Sequence, residues 1–551
     1  MFNPKVSQAV AAAIALGAAA GAQAVTLGSV PPANILYISG STAISPALIA
    51  YMVNSTDLVC NASLGAISTY TGTTSGGKFN AVACAAGSNI PGVTAGTSIA
   101  IIKENNAGSL NGINPIYLPT SKFVSYPAVS GIDADCTAGT TITPAGEQTQ
   151  TPYTCTGYTI VSSSSGGPYS ALGFADVEAG IFGVSPTGVG AMSSVDTPFG
   201  IAVSLGLYHA LQGAENLPED DAIADMPNMT RVQLAAIFNG QGGLSNWTHM
   251  YGAGTGSVGA QSVHFGNSGL SGGLHVCYDG TADSTATDCQ SGTQSTNAVA
   301  PANTNIYFCE RGQSSGTQNT TQIFFGNLGC AGEMLSFQSP SKPGATCSAS
   351  GCSWSSAYNG SLVFAGNGQP DDLECLEAHD QLGEFAVSLS STDQEWGQVA
   401  VTAGNTATAD WRFIRVDGYA PSNENIAAGK YDLWAQSAGY YAESGVNYPS
   451  GVELSLLNFF TNASTKLGGG TAAAIDAALQ RSNPTLDGGI LAIPGGGSVP
   501  NASSASLATF RSNPVNGFLR QTAANNCQPP YLAPNAPDIS NTPTWDPTSI
   551  Q

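Results

Sequence analysis

The feature that most limits this chain is where its twelve cysteines stand. All of them (Cys60, Cys84, Cys136, Cys155, Cys277, Cys289, Cys309, Cys330, Cys347, Cys352, Cys375 and Cys527) follow an apolar stretch, Ala9 to Ala20, which comes after the single charge Lys5. Ala22-Gln23-Ala24 then sets small residues at both recognition positions of a cleavage site, so residues 1–24 read as a signal peptide removed before Val25. The apolar stretch is too short to span a bilayer. An even number of cysteines in an exported chain predicts a disulfide framework. The close pairs Cys136–Cys155, Cys277–Cys289 and Cys347–Cys352 suit such bridges, with the full connectivity left open. Zinc is a poor reading, because there is no C-x-x-C and His209, His249, His264, His275 and His379 are scattered.

A chain of 551 residues can bury two or more cores. Its 14 Lys and Arg against 36 Asp and Glu give a net charge of -22, which excludes binding to a nucleic-acid backbone as the main task. Hydrophobic residues make up 42% of the chain and aromatic residues 8%, which excludes disorder. No second apolar run reaches membrane-spanning length, so no span is expected once the signal is gone.

Strand–turn–helix units recur along the chain, which predicts α/β layering. Asn34 to Ser39 is an apolar strand, Gly40 to Pro46 a turn, and Ala47 to Val53 a helix. Residues 54–170 are rich in Gly, Ser and Thr and read as short strands with long loops. Phe199 to Val203 reads as a strand and Ser204 to Gln212 as the start of a helix. Met229 to Phe238 is the clearest amphipathic helix: Thr230 is its N-cap, Gln233 follows three residues later, and Leu234, Ile237 and Phe238 share a face. Asn305 to Cys309 is a strand, Arg311 to Gln318 a turn, and Asn319 to Leu328 a helix. Trp411 to Val416 alternates as a strand does. Polar, Gly- and Ser-rich insertions fill 241–305 and 330–370, and the residues from Cys527 onward form a Pro-rich tail.

Two of these turns carry small hydroxyl residues into a helix: Gly40-Ser41-Thr42 and Ser314-Ser315-Gly316-Thr317. The first turn of a helix presents unpaired amides and the positive end of its dipole, so each turn is an oxyanion cradle as well as a plain cap. Arg311, just upstream of the second turn, adds a planar charged fork. Asp176 in Gly173-Phe-Ala-Asp176 would repel a bare anion and accept the proton of a protonated one, as in phosphate but not sulfate. The acidic group Glu219-Asp220-Asp221 with Asp225 lacks the spacing of a calcium loop and reads as a solvated helix face.

Five islands stand in one order: Gly40-Ser-Thr-Ala-x-x-Pro46; Gly173-x-x-Asp176; Met229-Thr-Arg-x-Gln-Leu-x-x-Ile-Phe238 with Trp247; Arg311-x-x-Ser-Ser-Gly-Thr317; and Trp411-Arg-Phe-Ile-Arg-Val-Asp-Gly418 with Pro421. In this order they resemble the periplasmic phosphate-binding proteins of phosphate-specific ABC transporters, over about residues 33 to 435. The resemblance implies a two-lobed α/β fold of the type II periplasmic-binding kind, with the Cys/Gly/Ser-rich insertions as loops. Lobe one would comprise 25–202 and 386–551, and lobe two 203–385. One inorganic phosphate, or a similar oxyanion, would be held between the lobes by Ser41, Thr42, Ala43, Asp176, Arg311, Ser314, Ser315, Gly316 and Thr317. Thr42 and Ala43 would donate at the first helix start, Asp176 would accept the phosphate proton, and Arg311 would pair with phosphate oxygens. No cofactor or catalytic step is implied. An ABC transporter permease would be the protein partner, and the location periplasmic or secreted. The family usually carries an acidic residue between the Arg and the Ser-Gly-Thr to orient the Arg, where this chain has Gly312 and Gln313. It also often has an aromatic residue in the first turn, where Ala43 and Ile44 stand.

Two other classes compete. Gly312-Gln-Ser-Ser-Gly316 fits the nucleophile elbow G-x-S-x-G, with Asp371 or Asp372 and His379 following in hydrolase order. No His-Gly-Gly-type oxyanion loop precedes Ser314, however. The third class is a secreted or surface-displayed structural protein that reuses the fold.

Overall fold

In the computed structural model, the described residues are 24–54, most of 59–215, 223–238, 305–325, 363–392 and 411–462, with short pieces elsewhere up to 532. The expected signal peptide lies outside them, as do Trp247, the Glu219-Asp220-Asp221 cluster and most of the insertions at 241–305 and 330–370. At the first described residues, Val25 is buried and its amide donates to Ala66 O.

The α/β expectation holds. The strand Ile35–Gly40 is buried along its whole length and lies parallel to Ser98–Glu104 on one side and Leu172–Ala175 on the other. A strand covered on both faces reads as a continuous apolar run, as Ile35-Leu-Tyr-Ile38 does. Its alternate residues feed two layers. Leu36 and Ile38 join the helices Ser45–Val53 and Gly451–Thr461, where Tyr51 meets Phe459 and Phe460. Ile35 and Tyr37 face the opposite layer with Tyr70, Phe79 and Tyr126.

The short strands expected within 54–170 are present and join the main sheet. Ile67–Gly72, Phe79–Ala85 and Gln150–Cys155 extend the same sheet outward from Ser98–Glu104. Two disulfides, Cys60–Cys84 and Cys136–Cys155, pin this extension. The second was expected from spacing and the first was not.

A second core gathers around Phe199, Ile201, Leu207, Leu234, Phe364, Leu376, Val387, Trp411 and Phe413. It is built on Tyr307–Arg311, parallel to both Val363–Gly366 and Ala386–Ser391, with the helices Gly316–Phe325 and Gln369–Gln381 between the strands. Cys309–Cys375 staples strand to helix. Cys347 and Cys352 stand opposite each other in the hairpin register at 345–354, but their side chains lie outside the described residues, as does Cys289. Cys527 is also disulfide-bonded.

The cores are joined by one long strand, Val189–Ser204. Its first half lies antiparallel to Trp434–Ala442, and its second half pairs with Ala386–Ser391 and Trp411–Val416. The register shifts between Ser193 and Asp196, the irregularity that bends a strand. The second core therefore takes residues from 386–435 as well as from 203–385.

Candidate functional site

The first wall of the site stands at the carboxyl ends of parallel strands, where open α/β sheets place their ligands. Gly40 closes its strand at φ +101°, and a Cβ there would lie 2.0 Å from Phe174 O. Only glycine allows this backbone approach. It delivers Ser41, whose amide donates to Phe174 O at 2.7 Å and whose hydroxyl donates to Asp176 Oδ1. The other oxygen of Asp176 accepts from Ser109 Oγ at 2.9 Å, and Ser109 Oγ accepts in turn from the Asp176 amide at 2.9 Å. The helix expected to open at this turn starts at Ser45, so Thr42 and Ala43 belong to the lead-in loop. Thr42 is half-buried, and the Ala43 amide is 3.3 Å from Ser41 Oγ.

Asp176 is buried, and burial raises its pKa. The hydroxyls of Ser41 and Ser109, then the charges of Arg311 and Lys103, oppose that rise. Lys103 is wholly buried beneath the turn and donates to Gly40 O at 2.8 Å.

The second wall comes from the other core. Arg311 ends its strand buried, with Nε 3.9 Å from Asp372 Oδ2. The chain then turns, with the Ser315 amide donating to Gly312 O at 2.9 Å, and enters the helix at Gly316. The helix was expected from Asn319. It begins three residues earlier, and its polar residues are buried: Thr320 Oγ1 donates to Gly316 O at 2.8 Å and Thr321 Oγ1 to Thr317 O at 3.0 Å. Its first-turn amides have no acceptor within the helix and supply the positive end of its dipole.

The walls meet. A Cβ on Gly316 would lie 2.2 Å from Ser109 Oγ and 2.5 Å from Asp176 Oδ2. The Leu110 amide donates to Ser314 O at 3.2 Å, and a Cβ on Gly108 would lie 2.7 Å from Ser315 Cα. Ser41, Asp176, Ser315 and Gly316 are thus brought to one place, with Arg311 close enough to act on Asp176 electrostatically. Thr317 is buried one residue further into the helix, while Ser314 is exposed at the rim. The arrangement offers an anion hydroxyl and amide donors, one guanidinium and one carboxylate acceptor.

Ser109 and Lys103 escaped the sequence reading, and Asp372 entered it only as a candidate hydrolase acid. Ser109 and Lys103 sit in the Gly/Ser-rich stretch without any motif around them. Asp372 lies in a different strand–helix unit, yet it brings a carboxylate to Arg311 that the Gly312-Gln313 stretch lacks. The faint signal for Lys103 was its rarity: an apolar strand, Ser98–Glu104, containing one lysine in a chain with 14 Lys and Arg.

The histidine and the acid of the hydrolase reading face other partners. His379 Nδ1 is 2.8 Å from Glu384 Oε2, its ring stacks on Tyr307 at 4.3 Å, and burial lowers its pKa. Asp372 faces Arg311. Cys309, Cys375 and His379 hold possible metal-ligand atoms within 4.8 Å of one another, but the two sulfurs form a disulfide and are not thiolate donors.

No protein-family profile matches the sequence, and no curated protein does. Among solved structures, the chain is similar to an ABC-type phosphate transport receptor from Vibrio cholerae, at 13% identity over 50% of this chain and 69% of the other, with a TM-score of 0.24. It is also similar to PstS from Borrelia burgdorferi, at 12% identity over 78% of this chain and 93% of the other, with a TM-score of 0.27. Among the described residues, no helix is long and apolar enough to cross a membrane.

Proposed function

We propose that this chain is an exported binding protein that captures inorganic phosphate, or a closely similar protonated oxyanion, between its two cores. The observation that carries the reading is the meeting of Ser41, Ser109 and Asp176 from one core with Arg311 and the Gly316 helix start from the other. Amides, hydroxyls and one guanidinium suit an oxyanion, and they do so despite the net charge of -22 because the field that matters is local. Asp176, desolvated and already turned toward hydroxyl donors, is an acceptor for a P–OH group and a repulsive element toward a fully ionised anion. Closure is a rotation of the cores about Val189–Ser204 and its partner strands, and no covalent step is involved.

The test is calorimetric titration of phosphate and of sulfate into the chain from residue 25, stripped of bound anion. Saturable 1:1 phosphate binding without a sulfate response is expected. Arg311→Ala should weaken phosphate binding about tenfold or more, the worth of a charge-assisted bond. Asp176→Asn should move the phosphate-to-sulfate preference toward sulfate. A folded protein that shows neither heat nor thermal stabilisation with phosphate overturns the reading.

A further inference from the structure

Lys103 is one of the largest fully buried side chains in the molecule, and it is ionisable. A buried lysine is retained only where its ammonium has partners. Here the partners are the ends of the site's own elements. Nζ donates to Gly40 O at 2.8 Å, to Glu104 O, and toward Asn105 Oδ1 at 3.4 Å. Asn105 Oδ1 also accepts from Ser45 Oγ at 2.8 Å, at the first residue of the helix Ser45–Val53. One ammonium thus links the carboxyl ends of two neighbouring parallel strands to the start of the following helix. The turn it anchors at Gly40 is the one that hands Ser41 to Asp176.

We infer that Lys103 is a positioning residue for the anion: it fixes the Gly40-Ser41 turn and supplies the positive charge that offsets Glu104 and Asp176 beneath the bound oxyanion. This rests on the anion-binding reading above and names a cation that the motif did not contain. The charged groups around it are Glu104 on its own strand, Asp176 at the end of the strand beyond Gly40, and Arg311 reaching Asp176 from the second core. Tyr126, in the neighbouring layer, is held well above its ordinary range by burial, with Glu104 adding to the rise. Burial lowers the Lys103 pKa to about 8, against the pull of Glu104 and Asp176. A bound anion favours the charged form. Above the free-state value, binding must therefore take up a proton, and affinity falls as pH rises.

The experiment is phosphate calorimetry on the wild type between about pH 8 and 9.5, a range in which phosphate stays a dianion and an ordinary lysine stays charged. Wild-type affinity should fall roughly tenfold across it. Lys103→Arg, which keeps its charge throughout, should bind with a flat profile, and Lys103→Met should bind about tenfold or more weakly at the lower end, also with a flat profile. A wild-type affinity that does not change over this range, or Lys103→Met binding as tightly as wild type, overturns the inference. Should Lys103→Met fail to fold, the wild-type profile decides alone. A wild type that binds no phosphate at neutral pH sinks the function itself, whereas phosphate binding with a flat wild-type profile sinks only the role of Lys103.

Discussion

A single methyl group separates the two glycines of the second turn. At Gly316 an added Cβ would press on Ser109 Oγ and Asp176 Oδ2, both within 2.5 Å, whereas at Gly312 the nearest atom, Gly366 O, is 4.0 Å away. Gly316→Ala should therefore weaken phosphate binding about tenfold or more, since overpacking at a tight contact costs 1–3 kcal/mol. Gly312→Ala should bind as wild type does. Equal affinities for the two variants in a side-by-side titration would show that the walls need not touch for binding. At this scale the sequence singled out Ser41, Asp176, Arg311 and the Ser-Gly-Thr turn, which the fold brings close together, because short motifs advertise backbone chemistry. It was silent about Ser109 and Lys103, and it offered Asp372 only as a hydrolase acid, because nothing in their immediate neighbours records what lies across the fold.

Helix Arg231–Phe238 is the element whose local code reads most directly. The Thr230 amide donates to Gln233 Oε1 at 2.8 Å and the Gln233 amide to Thr230 Oγ1 at 3.2 Å, the reciprocal capping box its sequence predicts. Thr230→Ala should destabilise the protein by about 1 kcal/mol, while Thr230→Ser should be close to neutral. Urea denaturation of both variants checks this, and an unchanged midpoint for the alanine would mean that packing of Leu234, Ile237 and Phe238 alone holds the helix. The strand Val189–Ser204 is the opposite case. Sequence patterning finds only Phe199 to Val203, because Ser193, Ser194, Asp196 and Pro198 do not look like strand. Asp196 is nevertheless fully buried there and accepts from Asn516 Nδ2 at 2.7 Å. A distant partner, absent from any local window, makes the polar half of the strand tenable.

Across the whole molecule, the C-terminal part of the chain returns to the strands that join the cores. Leu491–Ala492 pairs with Val195–Asp196. The amide of Asn526 donates to Glu178 at 3.0 Å, its side chain donates to Glu178 Oε2 at 2.9 Å and to Gln436 O at 3.1 Å, and it accepts from the Gln436 amide at 2.7 Å. Asn526→Ala leaves a buried main-chain amide and a carboxylate short of partners, and should cost about 2–3 kcal/mol in a denaturant titration. A loss below about 0.5 kcal/mol would mean that the returning segment does not brace the junction. Removing Cys309–Cys375 through the double alanine variant should cost about 2–4 kcal/mol, the usual range for a native bridge, read by the same method.

The disulfide-rich character, the α/β layering and the two hydroxyl-rich turns that lead into helices are legible in the sequence itself, because each depends on composition or on residues within one helical turn of each other. Which cysteine meets which, the growth of 54–170 into the sheet, and the union of Ser41 and Asp176 with Ser109, Lys103, Arg311 and Asp372 were decided only by the tertiary structure. Those groups lie on strands and helices far apart in the chain. Their orientation follows from burial and from partners that come together only in the folded chain.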